Sequence, residues 1–110
     1  MKNYLQNGEV ITAAAPYDRL SGEAALIGAI VAVAQTDVLS GDETSWVRRG
    51  VISHAKTSAQ AWTVGAKLYW DNTNKVFTTT ASGNTLCGAA AAAAANPSDT
   101  GEVLLDGAIR

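Results

Sequence analysis

Two side chains offer this chain its strongest route to reaction chemistry: His54, the only histidine, and Cys87, the only thiol. An imidazole that takes the proton of a neighbouring thiol makes an activated nucleophile, so a paired His54 and Cys87 would read as a hydrolase. The commoner fate of each residue is different. A lone histidine on a strand edge serves a surface or an interface, and a lone cysteine beside Leu86 behaves as a small buried hydrophobe. No catalytic residue is therefore assigned. A closed zinc site needs several ligands at suitable spacing, which one histidine and one cysteine cannot supply within a chain. A symmetric oligomer could gather three copies of His54 on its axis, but nothing in the sequence asks for it. No glycine pattern that cradles phosphate is present; the glycines read as turn residues spaced by strand lengths, so no cofactor is expected. Trp46, Trp62, Trp70, Tyr4, Tyr17 and Tyr69 could form a sugar-stacking platform. The favoured reading is that they fill a core otherwise poor in bulk, or anchor a subunit contact.

Charge and hydropathy narrow the partners. The formal net charge is −2, and among the basic residues only Arg48 and Arg49 are adjacent. No basic stripe can neutralise several phosphates, so nucleic acid is not an expected partner. The longest apolar run, Ala24 to Ala34, is too short to cross a bilayer, which takes about 20 residues. The opening MKNYLQNGEV lacks the apolar stretch of a signal peptide. A single cysteine excludes an internal disulfide and suits a reducing compartment, so the expectation is a soluble protein made in the cytoplasm.

The elements that must position these residues are strands. At 110 residues the chain is one domain, burying roughly 60 to 70% of its unfolded surface. Hydrophobic residues make up 47% but aromatics only 6%, and much of the remainder is alanine, which favours a partner that completes the burial. Turn chemistry followed by a short β-prone run recurs at Gly8, Gly22, Gly41, Gly65 and Gly101, the pattern of an all-β sandwich or barrel. The runs differ in sequence, so no repeat architecture is read from them.

Alternation in Ala66 to Asp71 puts Leu68 and Trp70 on one face and Lys67, Tyr69 and Asp71 on the other, and YWDNTNKVFTTT reads as a hairpin turned by its Asn and Asp residues. Gly28 divides Ala24 to Ala34 into two short strands or one bent one. Thr57 to Trp62 is the best place for a helical turn, stopped by Gly65, and at most one short helix is expected.

The run GAAAAAAANPS, Gly88 to Ser98, has the highest helix propensity available. It is nevertheless too short to nucleate well in water, has no good cap and no charged end, and meets Pro97. A strand through Leu86, Cys87 and the first alanines, drifting into a loop, is favoured over a helix. The domain reading is an N-terminal arm, residues 1–8, followed by a single β domain, residues 9–110.

The segments NYLQNGEVITAAAP, SGEAALIGAIVAVAQTD, GVISHAK, VGAKLYWDNTNKVFTTTASGNTLCGAAAAAA and EVLLDG, taken in order, resemble the capsid cement or head decoration proteins of tailed bacteriophages and prophages. The strongest stretch is Tyr69 to Gly88. The chain departs from that pattern at Ile52 and Ala55, where such proteins often carry a bulkier residue and a proline. The resemblance implies a non-enzymatic virion protein, on the capsid surface, that clamps neighbouring major capsid protein subunits. It also implies self-association, as a homotrimer or alternatively a dimer. Many weak contacts multiplied by symmetry suit that role.

Within that role, Tyr4, Leu5 and Gln6 are the candidate capsid contact, as an arm adding a strand to a capsid sheet edge, with a frayed terminus the equal alternative. Leu26, Ile30, Val31 and Val33 are the candidate subunit interface, with the domain's own core as the alternative. The other functional reading is a carbohydrate-binding adhesion module displayed on the virion.

Overall fold

A computed structural model describes residues 10–107. It contains nine strands and, among the described residues, no helix: β1 (Val10–Ala14), β2 (Ala24–Ile27), β3 (Ile30–Ala34), β4 (Glu43–Val47), β5 (Arg49–Ala55), β6 (Lys67–Asp71), β7 (Val76–Thr78), β8 (Thr85–Ala90) and β9 (Thr100–Asp106). They form two antiparallel sheets, of order β1-β4-β3-β2 and β5-β9-β8-β6-β7. The all-β expectation holds. The second sheet curls into a half-barrel whose edges meet where Lys56 bridges Phe77 and the Thr57 amide donates to the Phe77 carbonyl at 3.0 Å.

Two cores follow from how side chains alternate on β3, which is buried on both faces. Val31 and Val33 join Trp62, Leu68, Trp70, Phe77, Val103 and Leu105 inside the half-barrel. Ala32 and Ala34 point the other way, into a cluster with Ala25, Val38 and Trp46. Trp46 supplies the bulk that the alanines lack, and its indole donates to the Ala13 carbonyl of β1 at 3.0 Å, so burial leaves no unpaired N–H there.

The two strands expected from Ala24 to Ala34 are β2 and β3, joined by a turn in which Gly28 takes φ 61. That glycine-first turn twists as a tight hairpin requires. The YWDNTNKVFTTT hairpin is β6–β7, with Asp71 paired to Val76 and its carboxylate accepting the Thr73 and Asn74 amides at 2.9 and 3.1 Å. Its left-handed residue is Lys75, φ 58, not one of the asparagines; Lys75 Nζ donates to the Asn72 carbonyl and lies 4.3 Å from the Tyr17 ring centroid.

The alanine run is a strand and then a loop. Ala89 and Ala90 end β8, and the loop beyond is held by the Ala91 amide on the Glu102 carbonyl (3.0 Å) and by paired bonds between Ala94 and Trp62. Neighbouring strands claim these backbone groups, which overrides helix propensity.

Two expectations need correction. Thr57 to Trp62 is not helical. It makes a turn at Ser58 and Ala59, because Lys56 Nζ takes the Thr57 and Gln60 carbonyls and Trp62 must pair with Ala94 to reach the core. The glycines are not all turn residues: Gly50, Gly88 and Gly101 lie within strands, and the Trp62 ring covers Gly101 so closely that a Cβ there would fall 2.4 Å from Cζ3.

The chain is no repeat protein, but its turns carry a short motif twice. Asp18-Arg19-Leu20-Ser21-Gly22-Glu23 and Asp37-Val38-Leu39-Ser40-Gly41-Asp42 are two copies of one motif, and their hydrogen bonds exchange about a local twofold. Ser21 N donates to Asp37 Oδ1 (2.8 Å) as Ser40 N does to Asp18 Oδ1 (2.7 Å). Gly22 N donates to Ala34 O (2.8 Å) as Gly41 N does to Ala15 O (2.9 Å). Arg19 and Val38 each donate to the other at 2.9 Å. Both glycines have φ 88. The first sheet is thus a duplicated strand pair, β1–β4 matching β3–β2.

Candidate functional site

The residues singled out for chemistry are occupied by the fold. His54, on β5, is buried against Trp70 and Phe77, with ring centroids at 5.6 and 4.9 Å and both pairs edge to face. Its Nε2 accepts the amide of Ala24 at 3.0 Å, and its Nδ1 lies 3.1 Å from the Ala55 carbonyl. An acceptor Nε2 fixes the proton on Nδ1, which then donates to Ala55, so the ring is neutral. Burial pushes its pKa below the ordinary histidine value, outweighing the Ala55 carbonyl, which raises it; Arg19 lowers it further and Glu23 opposes that. With both nitrogens engaged, this imidazole joins β2 of the first sheet to β5 of the second.

Cys87 is buried at a bulge, where Leu68 pairs with Gly88 while Tyr69 pairs with Leu86. Its thiol points at the Leu68 carbonyl at 3.5 Å. A second tie between the sheets is Tyr17, whose hydroxyl donates to Asn72 Oδ1 at 2.8 Å and accepts the Leu26 amide at 3.1 Å.

All three tryptophans are buried, so each fills a core, as favoured above, and none is placed to stack on a sugar. Of the candidate interface residues, Val31 and Val33 are buried in the half-barrel core, whereas Leu26 and Ile30 are half-buried and retain some surface. The candidate capsid-contact residues Tyr4, Leu5 and Gln6 lie outside the described residues.

The surface carries two features that sequence reasoning missed. On the outer face of the half-barrel, Val51 and Leu104 are directly paired across β5 and β9 and are 56% and 44% exposed. At the end of the first sheet, the duplicated turns enclose an open groove of about 480 Å³. Its lining carries five carboxylates, of Asp18, Glu23, Asp37, Asp42 and Glu43, against the one guanidinium of Arg19. That guanidinium is turned inward, donating to the Asp18 and Ala24 carbonyls at 2.9 and 3.1 Å and lying 3.6 Å from Glu23. Leu20 and Leu39, equivalent under the local twofold, stand 61% and 64% exposed beside it. The signal for this groove was legible as Asp-X-Leu-Ser-Gly-acidic occurring twice; treating the glycine runs only as strand openers concealed it.

The body is small and all-β, its histidine and cysteine serve its own packing, and its exposed apolar pair and acidic groove lie on its surface. The chain belongs to the phage cement protein family, whose sequence model matches residues 5–105. Membership gives it a structural role at the phage capsid and points to a non-enzymatic function. No curated protein and no solved structure matches the chain. Among the described residues, no helix is long and apolar enough to cross a membrane.

Proposed function

We propose that this protein binds the outer surface of an assembled phage head, after synthesis in the host cytoplasm, and stabilises contacts between major capsid protein subunits. The observation that carries the reading is the match of the cement family over residues 5–105, nearly the whole chain, on a fold whose reactive groups are spent on packing. A shell strained from within gains from many added contacts, each weak alone and multiplied by symmetry.

The active unit in this reading is a homotrimer, associating through exposed apolar surface. The exposed Val51–Leu104 pair and the half-buried Leu26 and Ile30 are the residues assigned to it. Tyr4, Leu5 and Gln6 complete the capsid contact as an added strand. The test is to mix purified protein with undecorated heads of the phage that encodes it and sediment them. Saturable pelleting at fixed stoichiometry, with heads that then resist heat or chelator better, is the expected result. Protein left in the supernatant at every concentration refutes the role.

A further inference from the structure

We propose that the duplicated groove receives two copies of one cationic, apolar segment of the capsid protein, so that a single molecule bridges two capsid subunits about a local twofold. This rests on the capsid-binding reading above and adds what is bound and how many times.

Three observations choose the occupant. Its charge is set by the lining, where five carboxylates face one inward-turned guanidinium; a cationic segment is drawn in and a nucleic acid backbone repelled. Its apolar character is set by Leu20 and Leu39. One exposed leucine is ordinary, but two held at equivalent positions are a matched pair of anchors. Its number is set by the symmetry, because each anchor stands on the same turn, with the same glycine conformation and the same serine amide on an aspartate of the opposite copy. The halves share these groups and differ at Arg19 against Val38 and at Ala24 against Glu43, and a symmetric shell presents one segment twice.

The groove is also held ready. Asp18 and Asp37 are fixed by the Ser40 and Ser21 amides, so little order remains to be lost on binding. A metal ion fits the observations less well, since among the described residues no three such ligands converge on one point.

Single variants Leu20→Cys and Leu39→Cys, each attached to heads through a short thiol-to-amine cross-linker, test the arrangement directly. Both are expected to join to the same peptide of the capsid protein. Attachment to unrelated capsid peptides, or only to another copy of this chain, overturns the inference. In parallel, Leu20→Ser and Leu39→Ser should each weaken binding to heads about tenfold and together about a hundredfold, with added salt weakening the wild type. Both side chains are exposed, so unchanged circular dichroism and melting establish that the variants fold. Wild-type pelleting with an equally tight double variant removes the groove and leaves the cement role standing; failure of the wild type itself removes both.

Discussion

His54 shows how one side chain can be mistaken for a reactive group when it is an acceptor for a buried amide. Protonation would turn Nε2 into a donor facing the Ala24 N–H, so acid must break the tie between the sheets. The sign follows from linkage. In the unfolded chain the imidazole binds its proton near pH 6.5, while in the folded protein it stays neutral to lower pH. Stability is therefore level above about pH 6.5 and falls as the pH drops below it, by at most about 1.4 kcal/mol per pH unit for one proton. Urea unfolding at pH 7.5 and 5.5 measures this, and His54→Gln, removing the only histidine, should abolish the difference while lowering stability at both.

Gly88 makes a contrasting prediction at the same scale. A Cβ on Gly88 would lie 1.9 Å from the Leu104 carbonyl oxygen, which is backbone and can move only by parting β8 from β9. A Cβ on Gly28 meets nothing within 4 Å and costs only the strain of φ 61. Thermal melts should show Gly88→Ala losing about 3 kcal/mol or more and Gly28→Ala about 1.

At the scale of elements, the sequence was readable wherever local chemistry and the tertiary environment agreed. Alternation in Lys67 to Asp71 and the turn chemistry after it specify the β6–β7 hairpin, and Gly28 specifies the break between β2 and β3. Thr57 to Trp62 was misread because its conformation is imposed from a distance. Lys56, buried, donates Nζ to the carbonyls of Thr57 (2.8 Å), Gln60 and Ser98 (3.4 Å), and the Gln60 amide group reaches the Thr78 and Thr80 hydroxyls. Ser98, Thr78 and Thr80 lie outside any local window around the segment. Lys56→Met should leave part-buried carbonyls unpaired, costing about 1–3 kcal/mol in denaturant unfolding, with hydrogen exchange quickening first around residues 57–60. The candidate site was partly written in the chain as well. The twofold motif can be spelled out from residues 18–23 and 37–42, but only the reciprocal Ser–Asp bonds reveal that the copies face one another.

For the whole molecule, the small core is what motivates the proposed self-association. Alanine-rich strands bury little each, so the first sheet draws its bulk from Trp46 and leans its valines on the half-barrel. The outward Val51–Leu104 pair remains exposed. Light scattering on the purified protein should return three chain masses, and Leu104→Lys should shift that value toward one. A wild-type protein monomeric at high concentration would contradict the trimer.

The two-faced burial of β3 has one more consequence. A strand with a wet side is aligned by polarity, since a slip of one residue would drown its charges. Here neither side is wet, and size joins the Gly28 turn in enforcing alignment. Shifted by one place, Val31 and Val33 would crowd the places in the Trp46 cluster that Ala32 and Ala34 fill, while Ala32 and Ala34 would leave voids against the half-barrel rings. Each misplacement costs about 1–3 kcal/mol, so the large–small alternation of Val31 to Ala34 acts as a volumetric key that favours a single seating.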